Sequence, residues 1–279
     1  MIYFFLFLDT LIKGYGNVSM AADGSFVASC ENNSQIQIIR NDFEAQSCYV
    51  SSDGKGFFAF SEGLNGTYKD EYFFSAPEGS FLKSRMVMEK GVDVNASFFN
   101  FHSYGKAVFD KSGKITLEGP FEQASYLDYA LDAEKIIIED SNVFLYGSPS
   151  LKGDFFSFQS KAPLYHWNYE SNDIVSSSDL EYFKYVFKDD VLDIQGDDFF
   201  MYIDDKNSFL RISGFTLYFK DLMVSSKNAS VKIFENFFNI SAIEGDLLIK
   251  SDDFSSYAKN IYVFSDLSWK ADGGVRVVF

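Results

Sequence analysis

Between Phe209 and Phe234 the chain reads "FLRISGFTLYFKDLMVSSKNASVKIF", in which apolar and polar residues take turns. Successive side chains of a β-strand project to opposite faces, whereas a helix would repeat its apolar positions every three to four residues. A period of two therefore commits this stretch to half-buried strands with one dry and one wet face. Leu210 and Ile212 share one parity, while Phe215, Leu217 and Phe219 take the other. Gly214, free to adopt positive φ, is the point at which a turn or bulge resets the inward face. The segment "LMVSSKNASVKIF" reads as two strands around a polar turn at Ser225 to Ala229, with Leu222, Val224, Val231 and Ile233 inward and Ser230 and Lys232 outward.

The same rhythm recurs in "KITLEG" ending at Gly119, "VLDIQG" at Gly196 and "ISAIEG" at Gly245. The unequal intervals between these glycines argue for irregular hairpins along a continuing sheet and against a solenoid of fixed repeat. Short alternations bounded by Gly, Asn, Asp and Ser follow one another from about Val92 onwards, and no Pro follows Pro163 to interrupt a ladder. The exception is "EQASYLDYALDAEKIIIED" at 122–140, whose first half is expected to form a short helix over 122–135. Composition agrees with strands: there are 33 Phe and 17 Tyr but only 4 Pro, and aromatic side chains suit pleated surfaces. Seven Phe-Phe dipeptides each place a ring on both faces of their strand.

The chain divides by pattern into an apolar N-terminal segment, 1–13, and a continuous β domain, 14–279, whose first part, 14–90, the alternation leaves unassigned. "MIYFFLFL" is too short for a membrane helix, which needs about 20 apolar residues. It is either the remnant of an export signal or a buried first strand. Cys30 and Cys48 are the only cysteines. A strand and turn between them can bring them together as a disulfide, or they are two unpaired thiols packed as small hydrophobes.

Several functions are set aside by the residues. With 24 Lys+Arg against 40 Asp+Glu, the net charge of −16 repels a phosphate backbone, so no nucleic-acid partner is expected. His102 and His166 lack any ligand spacing, so no metal is expected, and no phosphate-binding glycine loop or nucleophile elbow occurs, so neither a cofactor nor catalytic residues are expected. The doublets Asp189-Asp190, Asp197-Asp198, Asp204-Asp205 and Asp252-Asp253 read as turns and solvated edges.

"ISGFTLYFKDLMVSSKNASVKIF", followed by "FFNISAIEGDLLIKSDDFSSYAKNIYVF", resembles the repeated unit of the OstA-like family, the LptA/LptC-type periplasmic lipopolysaccharide-transport proteins. "LDAEKIIIEDSNVFLYG" at 131–147 looks like a third copy, so the resemblance spans about Lys114 to Phe264. It implies an all-β fold, an elongated open antiparallel β-jellyroll or taco of two folded-over sheets joined by short turns. It further implies a non-enzymatic protein of the periplasm or another extracytoplasmic part of the bacterial cell envelope, holding the acyl chains of a lipid or lipopolysaccharide-like amphiphile in an apolar groove. The inward-parity residues then become the lipid-binding set: Ile115, Leu117, Leu192, Ile194, Leu210, Ile212, Leu222, Val224, Val231, Ile233, Leu247 and Ile249.

Two other readings stand beside it. One is a structural or surface β protein assembling through exposed sheet edges, as an edge-to-edge homo-oligomer or with other cell-envelope β proteins; "GGVRVVF" at 273–279 is the candidate edge. The other is a carbohydrate-active β protein using carboxylates and exposed tyrosines such as Tyr165, Tyr169 and Tyr185.

Overall fold

The computed structural model describes residues 2–5, 10–31, 35–40, 43–82, 85–97, 99–126, 129–154, 156–160, 164–168, 173–176, 180–187, 190–203, 207–264, 266 and 268–278. These residues form antiparallel strands and no helix, so the protein is all-β. The chain separates into two compact units, Met1–Asp140 and Ser141–Phe279.

The first unit contains β1 (Ile2–Phe5), β2 (Thr10–Gly14), β3 (Gly16–Met20), β4 (Phe26–Cys30), β5 (Ile36–Arg40), β6 (Phe43–Ser52), β7 (Phe57–Tyr68), β8 (Tyr72–Ala76), β9 (Glu78–Leu82), β10 (Arg85–Glu89), β11 (Val92–Asn95), β12 (Phe99–Ser103), β13 (Lys106–Asp110), β14 (Ile115–Glu118), β15 (Phe121–Tyr126), β16 (Tyr129–Asp132) and β17 (Lys135–Glu139). Their pairing makes two ladders. One runs β3-β4-β6-β7-β9-β10-β13-β14-β17, and the other runs β1-β2-β5-β6-β7-β8-β11-β12-β15-β16. Strands β6 and β7 belong to both, because Tyr49–Ser52 of β6 pairs with β4 while Phe43–Ser47 pairs with β5. The register of β6 on β7 shifts between Ser47 and Tyr49, and Glu62 and Gly63 of β7 take positive φ, so both strands bend where they pass from one ladder to the other.

The two ladders face each other across an aromatic interior. Phe43 of one meets Phe81 of the other at 5.1 Å between ring centroids, and Phe109 meets Tyr68 at 5.3 Å and Phe74 at 5.6 Å. The fully buried Tyr68 ring carries a hydroxyl that donates to the Asp110 carbonyl at 2.7 Å, so its polar end is satisfied.

The second unit repeats this plan with β18 (Asn142–Tyr146), β19 (Ser150–Lys152), β20 (Phe156–Ser160), β21 (Leu164–Asn168), β22 (Asp173–Ser176), β23 (Leu180–Phe187), β24 (Asp190–Gly196), β25 (Phe199–Ile203), β26 (Asn207–Phe219), β27 (Leu222–Phe234), β28 (Phe237–Glu244), β29 (Leu247–Lys250), β30 (Ser255–Ala258), β31 (Asn260–Phe264), β32 (Trp269–Asp272) and β33 (Arg276–Val278). Its ladders are β18-β21-β22-β25-β26-β27-β28-β31-β32 and β19-β20-β23-β24-β26-β27-β29-β30-β33. The shared strands here are β26 and β27, 13 residues each. Phe238 of one ladder packs edge-on against Phe187 and Phe219 of the other, at 5.3 and 5.5 Å.

Two local expectations are corrected. Residues 122–135 form no helix: β15, β16 and the start of β17 occupy this stretch, and the buried positions Ala124, Leu131, Ala133, Ile136 and Ile138 alternate as strands require. Ladder partners on both sides outweigh the local helical preference of the Ala- and Leu-containing segment. Nor is there a turn at Ser225 to Ala229, since β27 continues through it. Its first residues, Met223–Ser225, pair with β29, and Ala229–Ile233 pair with β28. The polar Ser226–Asn228 segment is the crossing between ladders, with Ser226 Oγ donating to the Asn228 carbonyl at 3.2 Å.

Gly214, by contrast, does what its position suggests: with φ +59° it lies inside β26, between buried Ile212 and buried Phe215. Strand Ile2–Phe5 pairs antiparallel with β2, so that part of the N-terminal apolar segment is a strand. Residues 1 and 6–9 lie outside the described residues.

Candidate functional site

The inward faces of each unit form transverse apolar rows. In the second unit one row runs Met201, Leu210, Val231, Ile240, Ile261 across one ladder, and another runs Ile194, Leu217, Val224, Ile249 across the other. Leu192, Ile212, Ile233 and Leu247 lie on the same inward faces. Ile115 and Leu117 hold the corresponding positions in the first unit, opposite Ile138 and Ile136. Of the twelve residues singled out by parity, eleven are at most 1% exposed, and Leu222 is half-buried. Phe215, Leu217 and Phe219, on the parity reset at Gly214, complete this interior, as do Phe238 and Ile240.

A side chain lining an empty channel of acyl width would keep some accessible surface, so the interior is closed at these eleven positions. The interior of the first unit comes to the surface at a recess lined by Ile12 and Ile36 of one ladder and Phe26 and Ala28 of the other, together with Gly14, Gly16 and Val18. The free room there is only about 10 Å³, no more than a single water takes, so an acyl chain entering must part side chains.

The Phe doublets behave alike wherever both rings are described. Phe58, Phe74, Phe199 and Phe238 are buried, while Phe57, Phe200 and Phe237 are half-covered and Phe73 is exposed. Cys30, the last residue of β4, is disulfide-bonded to Cys48, which occupies the register shift of β6, with Cα atoms 4.9 Å apart. The bond ties β4 to the crossing between ladders.

His102 is not isolated. Hairpin register places it opposite Asp93, and its Nδ1 lies 2.5 Å from Asp93 Oδ1. On the other side of the ring, Nε2 lies 3.3 Å from Glu122 Oε2. Ser75 Oγ donates to Asp93 at 3.0 Å and the Tyr104 hydroxyl to Glu122 at 2.6 Å, a bond that raises the Tyr104 pKa above its ordinary value. The two carboxylates approach opposite nitrogens, so they do not converge on one ion, and among the described residues no group of three or more His, Cys, Asp or Glu is arranged to hold a metal. The His102–Asp93 pairing had a sequence signal in the β11–β12 hairpin; Glu122 had none, because it faces His102 only through an irregularity in the β12–β15 register.

Asp197-Asp198 and Asp252-Asp253 lie in turns, while Asp189, Asp204 and Asp205 fall outside the described residues. Tyr169 and the side chain of Tyr165 also lie outside them. Tyr185 is half-buried rather than exposed, and burial raises its pKa. No protein-family model matches the chain, and no curated protein matches it by sequence.

Proposed function

We propose that the protein is an extracytoplasmic lipid-binding or lipid-bridging component of a bacterial cell envelope that takes acyl chains between its paired ladders. The observation that carries this reading is the interior of the first unit, apolar on both ladders and reaching the surface at the recess around Ile12, Phe26 and Ile36. Each methylene withdrawn from water contributes about 0.8 kcal/mol. An acyl chain of ordinary length therefore has enough driving force to displace side chains held only by apolar contacts. No covalent step is involved. The Cys30–Cys48 bond supports maturation in an oxidising compartment.

Adjacent strand positions supply the test. A photo-crosslinking amino acid at Phe26 or Ala28, both inward at this recess, is expected to capture lipid in cells, and one at exposed Val27 is not. Crosslinks from 26 and 28 that stay within the chain, under conditions where a lipid carrier is labelled, would defeat the reading.

A structural role through edge pairing is the second reading. Among the described residues β32 pairs only with β31 and β33 only with β30, and Val275, Val277 and Val278 are exposed. Unpaired N–H and C=O groups beside apolar side chains accept a further strand, from another copy or another envelope protein. Deleting residues 275–279 should then reduce concentration-dependent association in sedimentation.

A further inference from the structure

Both crossings between ladders carry a recess on the outer surface, and the two differ in how their charges are satisfied. In the first unit the recess holds Glu78 and Glu89, and Lys90 pairs with Glu78 at 2.7 Å. In the second unit a recess of about 350 Å³ is lined by Asp198, Phe200, Arg211, Ser213, Asn228 and Ile243. Here neither charged side chain has a partner among the described residues: no ion pair or hydrogen bond is made by the Arg211 guanidinium or the Asp198 carboxylate, and they do not reach each other.

The backbone builds this recess by breaking the ladders. Gly214 bends β26, and the register of β27 on β28 jumps so that Ile243 is the extra, unpaired residue, turned outward and 46% exposed. Ser213 locks the β24–β25 turn into place: its N–H donates to the Asp198 carbonyl at 3.0 Å and its carbonyl accepts from Asp197 N at 2.8 Å. Asn228 is held by donating its Nδ2 to Glu244 at 2.9 Å, which leaves its amide oxygen as an acceptor. Bulges that re-aim side chains in this way are over-represented beside binding sites.

We propose that this recess is a binding site for a neutral saccharide, a pyranoside with vicinal hydroxyls. One hydroxyl donates to the Asp198 carboxylate while its neighbour accepts from Arg211, so a single ligand replaces water at two exposed opposite charges that form no ion pair with each other. The Phe200 ring, opposite Arg211 in the β25–β26 register, offers its electron-rich face to the weakly positive C–H bonds of the sugar. Ile243 covers the apolar side of the ring. The paired signs make the recess close to neutral in a protein of charge −16, which favours neutral sugars over uronic acids or phosphates. The volume lies at the small end of ligand sites, the size for one or two sugar units.

The site is independent of the apolar interior and needs no acyl chain. Saturation-transfer NMR with methyl glycosides of neutral hexoses and N-acetylhexosamines should show transfer to sugar C–H protons. Amide shifts should be confined to residues 197–200, 211–214, 228 and 243. Arg211→Gln and Asp198→Asn should each weaken binding about ten- to hundredfold, the loss of one charge-assisted hydrogen bond. Lys232→Gln, on the same outer face but away from the recess, should leave it unchanged. No transfer from any glycoside overturns the proposal, as does unchanged binding in Arg211→Gln with an intact amide spectrum. A response to acetate or phosphate in place of sugars would likewise overturn it, marking an anion site.

Discussion

Replacing Gly214 with Ala tests the geometry of the crossing in β26 through the sign of its effect. Glycine inside an ordinary strand is a liability, and Gly→Ala there stabilises by about 0.5–1 kcal/mol through reduced freedom of the unfolded chain. At φ +59° the balance reverses, because an L side chain in the left-handed region costs about 1–2 kcal/mol. The new Cβ would also collide with the Asp197 carboxylate. That group is the end of a flexible, exposed side chain and can swing away, so the backbone term dominates. Set against the unfolded-chain gain, a net loss of up to about 1.5 kcal/mol raises the local opening constant of β26 and β27 by up to roughly tenfold. Hydrogen exchange read by mass spectrometry on peptides covering 215–219 and 222–226 should show that acceleration, with peptides of β29–β30 changing less. The same substitution in an Asp197→Ala background should cost nearly as much, within about 0.5 kcal/mol, if the carboxylate only moves aside. Unchanged or slower exchange in Gly214→Ala would refute the bend, and with it the explanation of why the inward parity reverses between Ile212 and Phe215.

Phe238→Ala removes a ring with no exposed surface that is wedged between Phe187 and Phe219, and should destabilise the second unit by about 3–5 kcal/mol in urea titrations. Reducing the Cys30–Cys48 bond, which spans 18 residues, should lower the stability of the first unit by about 3 kcal/mol, and in protein isolated from its own compartment both thiols should label only after reductant is added. The Asp110 carboxyl is held below its ordinary pKa, first by the Arg85 guanidinium at 2.8 Å and then by the Ser112 N–H. A depressed folded pKa contributes stability above the unfolded value that is lost as pH falls through the folded one, so Asp110→Asn should flatten the acid limb of the stability curve below about pH 4. The effect should stay under about 1 kcal/mol, because Arg85 is largely exposed, and a wild-type acid limb in the variant would contradict it.

Alternation made the strands legible wherever one face is dry: Leu192, Ile194, Leu210, Ile212, Val231 and Ile233 could be placed inward with no knowledge of their partners. It failed where the chain changes ladder. At Ser225–Ala229 a polar run within a strand has the same composition as a turn, and only the partners β28 and β29, further along the chain, distinguish the two. At 122–135 the short strands β15 and β16 carry too few alternations to outweigh an Ala- and Leu-containing local pattern. The recess at Arg211 was invisible for a related reason. Asp198, Phe200, Arg211, Asn228 and Ile243 come from four strands and a turn, and two bulges decide which way they point.

The ladder topology also governs how the chain reaches its native state. Each described pairing joins residues close in sequence; even the wide pairing of β2 with β5 links Thr10 to Arg40, and that of β28 with β31 links Phe237 to Phe264. All-β proteins usually fold slowly because their partners are distant along the chain, and loop closure must precede the gain from contact. Among the described residues each new strand finds its partners within the last few hairpins to have formed. Assembly can therefore proceed vectorially, each strand docking as it emerges, with only a short stretch of bare edge awaiting its neighbour at any moment. A chain so rich in phenylalanine would otherwise be a strong candidate for aggregation while still incomplete.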